Sequence, residues 1–102
     1  MNDARFGFKT GDLEAIIKVL ASFDSIKKAV IFGSRAKGNY KNGSDVDIAI
    51  WAEDKDVASE INGLLNDTLP LPYQFDVLNY STITNKDLAK HINRVGVIIF
   101  QV

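Results

Sequence analysis

The chain alternates helical and extended patterns, and this alternation constrains its fold more than any other feature of the sequence. Apolar residues recur at helical spacing from Asp12 to Phe23 and again from Asp54 to Leu69, as in helices with one buried face. Short β-branched and aromatic runs at 28–32, 45–51 and 73–78 predict strands, and 97–102 is a last strand or a tail docked on the sheet. The pattern predicts an α/β (α+β) domain whose central mixed sheet of about four strands is packed by helices.

The expected helix ends follow from residues that suit caps and turns. Thr10 or Asp12 is able to cap the first helix. Thr84 and Asp87 resemble a capping box that opens a last helix, which runs to about Arg94 and which Gly96 is able to close. Residues 33–44 read mainly as a glycine-rich loop in which 34–37 make one helical turn.

Length, charge and composition exclude several classes of protein. The 102 residues predict one domain, spanning 1–102, with no room for a second substrate-binding domain. Twelve basic and thirteen acidic residues give a net charge of −1, so neither nucleic acid nor a membrane is an expected partner. The lack of cysteine, of a signal-peptide pattern and of an apolar run of about 20 residues makes the cytoplasm the expected location.

A pair of carboxylates points to a cation site. Asp45 and Asp47 project from the same face of a predicted strand, where two unpaired negative charges repel each other. No Lys or Arg alternates with them along that strand. Hard divalent cations such as Mg²⁺ bind one or two carboxylates together with substrate phosphates, so the pair predicts a site for a metal and a nucleotide.

The turn upstream of the carboxylates has groups suited to bind phosphate. Gly33 is able to adopt a positive φ and let a phosphate approach the backbone, and Ser34 offers its amide and hydroxyl at the start of a helical turn. Arg35 lies in the same loop and is the one basic residue predicted as a phosphate ligand. Lys37 and Lys41 suit a solvated loop face as well as they suit a ligand role.

The glycine turn and the carboxylate pair together resemble a known signature. Gly33-Ser34 is followed by ten residues and then by Asp45-x-Asp47, as in the polymerase-beta-like nucleotidyltransferase superfamily. The resemblance is specifically to the minimal nucleotidyltransferases that are often antitoxin partners of HEPN-domain toxins, and it covers most of the chain. In this superfamily the two aspartates hold divalent metals and a third carboxylate on a later strand completes the site. Asp76 is the natural counterpart of that third carboxylate.

The resemblance implies a catalytic site and a reaction. Asp45, Asp47 and Asp76 would be the catalytic, metal-binding residues for two Mg²⁺ ions, and Gly33, Ser34 and Arg35 would bind the nucleotide. The implied reaction transfers AMP from ATP to a hydroxyl acceptor on a HEPN-type toxin, and the implied assembly is a homodimer or a hetero-oligomer. Two alternatives stay open: a non-catalytic antitoxin that neutralises its partner by occlusion, and a subunit of a small-molecule nucleotidyltransferase.

The remaining aromatic and histidine residues carry less specific expectations. Phe6, Phe8 and Phe100 are expected to be exposed and available for a protein interface. His91 is expected to be a surface or partly buried helical residue, because it has no companion ligands nearby in the sequence. Trp51 and Tyr73 are expected at the core or its rim, as bulky aromatic side chains usually are.

Overall fold

A computed structural model describes residues 3–102 of the chain. Four α-helices and four strands make up most of it: α1 (Asp12–Ala21), β1 (Ile26–Phe32), α2 (Gly33–Lys37), β2 (Val46–Ala52), α3 (Val57–Gly63), β3 (Phe75–Asn79), α4 (Lys86–Val95) and β4 (Val97–Gln101). Two short 3₁₀ turns, Asp3–Phe6 and Tyr80–Thr82, and one π-helical turn, Leu64–Thr68, complete the secondary structure. Each of the predicted strands is present, with ends that differ by a few residues.

The four strands form one mixed sheet in the order β3-β2-β1-β4. Strand β1 is antiparallel to both β2 and β4, whereas β2 and β3 run parallel. The parallel pair needs a crossover connection, which α3 and the π-helical turn provide. The predicted fold class, a central mixed sheet of about four strands packed by helices, is confirmed.

Each face of the sheet has its own apolar core. On one face, α1 and α3 pack against the sheet through residues such as Ile16 and Ile61, both fully buried. On the other face, Ile92 of α4 packs on Val30 and Ala49. Because strand side chains alternate between faces, every second residue of β2 faces the side of the second, smaller core, to which Ala49 and Trp51 belong. The part of this face that α4 leaves uncovered is where the polar residues of β2 and β3 emerge.

The helix caps differ from the sequence prediction at both predicted sites. Gly11 is the N-cap of α1, and Asp3 Oδ1 accepts a hydrogen bond from the Leu13 amide at 2.9 Å. Neither Thr10 nor Asp12 caps this helix from the N-cap position. In α4 the N-cap is Asn85 rather than Thr84, since its Oδ1 accepts hydrogen bonds from the amides of Asp87 and Leu88. The α1 cap comes from a distant turn, which local patterns do not reveal.

Two other helix ends also differ from expectation. The helix predicted to extend to Leu69 is α-helical only to Gly63 and continues as the π-helical turn to Thr68. Gly96 follows α4 with φ −62°, so it does not end the helix in the left-handed conformation. A Cβ at this position would instead lie 2.5 Å from the Ile92 carbonyl oxygen and 3.1 Å from Val30 Cγ2. Close packing, and not a left-handed turn, requires glycine here.

The free edge of β3 is covered by two asparagine side chains. Asn62 donates to the Val77 carbonyl and accepts from the Val77 amide, both at 2.9 Å. Asn66 does the same for Phe75, at 2.9 Å and 2.7 Å. Each amide side chain replaces the backbone of a missing neighbouring strand, so this edge offers few groups to another chain.

The exposure of the aromatic residues corrects one expectation. Phe6 and Phe8 are buried, at 3% and 6% exposure, and belong to the core with α1 and α3. The prediction that they are exposed for an interface is therefore wrong, because the N-terminal segment folds back onto the sheet domain. Phe100 is half-buried. Within residues 3–102, no helix is both long enough and apolar enough to span a bilayer.

Asn66→Ala tests the asparagine cover on β3. The change leaves the amide and carbonyl of Phe75, a buried residue, without their partners. We expect the free energy of unfolding to fall by about 1–3 kcal/mol, the usual cost of leaving such groups unsatisfied. Urea denaturation measures this change, with Asn39→Ala, at an exposed position of the 38–44 loop, as the control. Equal stability of the two variants would contradict this role.

Candidate active site

Three strands place one row of residues across the sheet at the candidate site. Phe32, the last residue of β1, is paired with Asp47 of β2, and Asp47 is paired with Asp76 of β3. Paired residues on neighbouring strands project from the same face, so the two carboxylates emerge side by side. This is the face on which α4 packs. Asp45 lies two positions before Asp47 and is exposed, as is Asp76, whereas Asp47 is half-buried.

The Gly33-Ser34 turn lies directly against these carboxylates. Gly33 follows β1 immediately, begins α2 and has φ +74°. A Cβ on Gly33 would collide with the Asp47 carboxylate, so only glycine allows this approach. Ser34 is half-buried at the start of α2, where the first amides of a helix have no partner within the helix. Asp47 and Asp76, with Asp45 beside them, are called the acidic row below. The turn and the acidic row thus form one site.

The negative charges of the site act on one another. Burial, together with the neighbouring charges of Asp76 and Asp45, raises the pKa of Asp47 to about 6 from its usual value of 3.8. Burial has the largest effect because a half-enclosed carboxylate loses hydration in its charged form. The site therefore binds a proton more readily than an isolated aspartate does, and the negative charges of Asp76 and Asp45 favour other cations there as well.

The donor set fits a divalent cation that also binds a substrate. Within residues 3–102 the one ion pair is Lys18–Glu14 on α1, so no Lys or Arg neutralises the acidic row. In the same part of the chain, no three His, Cys, Asp or Glu side chains are grouped closely enough to hold a metal ion. A cation here would need further ligands, and phosphate oxygens of a nucleotide are the usual ones for Mg²⁺.

Arg35 does not have the position expected of a phosphate ligand. Its side chain is 3% exposed and donates hydrogen bonds to the carbonyl oxygens of Ser44 and Phe6. The prediction that Arg35 binds the nucleotide thus lacks support, because the guanidinium is committed to backbone groups. Lys37 and Lys41 are exposed, as a solvated loop face requires.

The other aromatic and histidine residues lie as their sequence context indicates. His91 is half-buried on α4, and its ring meets the Phe32 ring edge-on with centroids 6.3 Å apart. Trp51 is half-buried and stacks on Tyr80 at 4.5 Å. Tyr73, also half-buried, lies beside Arg35. Nothing in the sequence pattern pointed to this aromatic neighbourhood of Arg35, because its members are spread from Phe8 to Tyr73.

The raised pKa of Asp47 makes the stability of the metal-free protein depend on pH. The folded state holds the Asp47 proton up to a pKa of about 6, and the unfolded state only up to about 3.8. Stability is therefore lost as pH rises through this window, because the unfolded chain releases the proton first. Asp47→Asn removes this loss, so the variant gains stability over the wild type between pH 4 and 7.

Thermal unfolding in a chelating buffer measures this difference at each pH. Asp24→Asn, at an exposed position before β1, is the control and is expected to show no such gain. A difference between Asp47→Asn and the wild type that stays constant from pH 4 to 7 would contradict the coupling.

Gly33→Ala tests the contact between the turn and Asp47, and Gly38→Ala is its matched control. Both glycines have positive φ, +74° and +84°, but a Cβ on Gly38 meets no atom within 4 Å. Both variants are expected to lose about 1–2 kcal/mol of stability from backbone strain. We expect only Gly33→Ala also to weaken Mn²⁺ binding, measured by calorimetry, because it displaces the Asp47 carboxylate. Equal Mn²⁺ affinity in both variants would argue against that contact.

A curated relative shows similarity over nearly the whole chain. A protein of Haemophilus influenzae, named as a probable protein adenylyltransferase MntA, is 30% identical over 103 residues. The alignment covers 94% of this chain and 85% of the relative.

Solved structures share the fold. A toxin–antitoxin structure with AMP-PNP matches with a TM-score of 0.76 at 22% identity, covering 89% of this chain and 74% of that one. A complex of a tri-AMPylated HEPN toxin with an MNT antitoxin from Shewanella oneidensis matches with a TM-score of 0.60 at 18% identity, over 88% of this chain and 70% of that one.

A family model agrees with the geometry of the site. The model of the polymerase beta nucleotidyltransferases matches residues 14–102, which include the Gly33-Ser34 turn and all three aspartates. With nearly the whole chain matched and the acidic row set against a glycine turn, the chain belongs to the polymerase beta nucleotidyltransferase family.

Proposed function

We propose that this protein transfers AMP from ATP to a hydroxyl group of a partner protein, using Mg²⁺. The observation that carries the proposal is the contact between the Gly33 turn and Asp47, with Asp76 beside Asp47 on the next strand. This arrangement puts a phosphate-binding turn and a cation site within one nucleotide's reach of each other. Membership of a nucleotidyltransferase family supports the reaction class.

Each residue of the site has a distinct part in the proposed reaction. Gly33 and the amide and hydroxyl of Ser34 bind the triphosphate of ATP. Asp45, Asp47 and Asp76 would hold two Mg²⁺ ions together with phosphate oxygens of ATP, and the ions would supply charge that stabilises the attacking and leaving oxygens. Exposed Asp76 accepts the proton of the acceptor hydroxyl. The acceptor oxygen bonds to the α-phosphorus of ATP as the bond to the β-phosphate oxygen breaks, and pyrophosphate leaves.

The proposed acceptor is a HEPN-type toxin for which this chain is the antitoxin. The Haemophilus influenzae relative is named as a protein adenylyltransferase, and one structural relative is bound to an AMPylated HEPN toxin. A protein acceptor also suits the exposure of Asp45 and Asp76, since a second protein is able to reach them. As part of this proposal we assign the activity to the cytoplasm.

Loss of AMP transfer in Asp45→Asn and Asp47→Asn is the test of the proposed activity. Each change removes a charge that holds Mg²⁺. The rate should fall by more than about 100-fold, since losing a partner that merely supports a metal ligand already costs about 10–100-fold. The assay incubates the purified protein with radiolabelled ATP, Mg²⁺ and a purified HEPN-type toxin, and it counts the label on that toxin. Asp67→Asn, at an exposed position in the π-helical turn, is the control.

The same experiment separates catalysis from occlusion. Neutralisation of the toxin by the wild type with no AMP adduct in the mass spectrum would favour occlusion and contradict the proposal. Full transfer by either site variant would contradict the assignment of the aspartates. Transfer to a small molecule but not to the HEPN protein would contradict the proposed acceptor.

A further inference from the structure

Arg35 connects α2 with the distant N-terminal segment and with the end of the loop that follows α2. From its place in α2, its Nε and Nη2 donate to the Ser44 carbonyl oxygen at 3.1 Å and 2.9 Å. Its Nη1 donates to the Phe6 carbonyl oxygen at 2.7 Å. Hydrogen bonds from a charged donor are stronger than those between neutral groups. A single buried side chain thereby fixes the N-terminal segment and the end of the 38–44 loop to α2.

Aromatic rings enclose the charge of Arg35. Its guanidinium carbon lies 5.5 Å from the ring centroid of Phe8, 5.4 Å from that of Tyr40 and 5.0 Å from that of Tyr73. Within residues 3–102 it has no carboxylate partner, so the rings and the two carbonyl groups compensate for its burial. The three hydrogen bonds and the surrounding rings hold the guanidinium in one orientation.

The Ser44 contact lies directly beside the acidic residues of the candidate site. Asp45 follows Ser44, and β2 begins at Val46 and carries Asp47. We propose that Arg35 is a positioning residue, which holds Asp45 and Asp47 in place for cation binding by fixing Ser44 and does not contact the nucleotide. This inference rests on the proposed function for its catalytic consequence. The proposed effect on cation binding does not depend on which protein is the acceptor.

The N-terminal segment that completes this arrangement precedes the stretch matched by the family model. The model begins at residue 14, whereas Phe6 and Phe8 lie before it. Gly7 has φ +76°, and a Cβ there would lie 2.8 Å from Tyr40 Cζ and 3.0 Å from Arg35 Nη1. Only glycine lets the segment approach Arg35 this closely. The N-terminal segment therefore contributes to the anchoring of Arg35.

The substitutions Arg35→Lys and Arg35→Gln distinguish positioning from a direct phosphate contact. A lysine keeps the charge but has no planar fork to bond two carbonyl groups at fixed angles. If Arg35 positions the site, both variants lose Mn²⁺ affinity and kcat by about 10–100-fold, the usual effect of removing support from metal ligands. The KM for ATP stays within about threefold of the wild type. Arg5→Gln, at an exposed arginine of the same segment, is the control.

The measurements are Mn²⁺ calorimetry, steady-state AMP transfer, and amide hydrogen exchange over residues 44–47. Exchange there should be faster in both Arg35 variants and unchanged in Arg5→Gln. If Arg35→Lys retains wild-type Mn²⁺ affinity and kcat while Arg35→Gln loses both, charge alone matters and the proposal is overturned. A raised KM for ATP with unchanged Mn²⁺ affinity also overturns it, because Arg35 would then bind the nucleotide.

Tyr40→Leu serves as a second variant, and hydrogen exchange serves as a second measurement. If the Arg35 variants do not fold, Tyr40→Leu removes one of the rings that hold the guanidinium against the Ser44 carbonyl oxygen, and so it loosens that contact. It should weaken Mn²⁺ binding several-fold, and wild-type affinity in the folded variant would overturn the proposal. If the wild type transfers no AMP or binds no Mn²⁺, the proposed function fails. Hydrogen exchange then still decides whether Arg35 holds residues 44–47.

Discussion

The pairing of β2 with both β1 and β3 is the constraint on which the candidate site depends. It places the end of β1, Asp47 and Asp76 in one row, so the turn that follows β1 meets two carboxylates from separate strands. The antiparallel pair puts Gly33 beside Asp47, and the parallel pair puts Asp76 on the same face. If β2 shifted by one residue against β1, the Asp47 carboxylate would turn to the opposite, fully buried face. A one-residue shift of β3 against β2 would do the same to Asp76.

Function and stability oppose each other in this row. Burial and mutual repulsion raise the pKa of Asp47, so the ionised site destabilises the metal-free fold. The two apolar cores compensate for this loss of stability. Polar contacts contribute as well, such as the hydrogen bonds that cover the edge of β3 with asparagine side chains. A site that is costly when empty binds cations and their phosphate ligands more strongly, because binding removes the repulsion.

Sequence patterns predicted the order of elements well and their ends less well. Apolar periodicity located α1 and the strands because burial of one face is a local property of spacing. The caps were missed where the partner is remote: Asp3 caps α1 from ten residues away. Phe6 and Phe8 were expected at the surface, since no local pattern shows that the N-terminal segment folds back onto the core. The π-helical turn had no recognisable signal either.

The sequence by itself determined that a glycine turn, two alternating aspartates and a later aspartate exist at spacings suited to a cation and a nucleotide. Only the tertiary structure decided that Asp76 is the strand partner of Asp47, because strand register depends on contacts between distant segments. The structure also shows that Arg35, predicted from the sequence as a phosphate ligand in a loop, is buried. Its hydrogen-bond partners and aromatic neighbours come from three separate stretches of chain, 6–8, 40–44 and 73, and only folding brings them together.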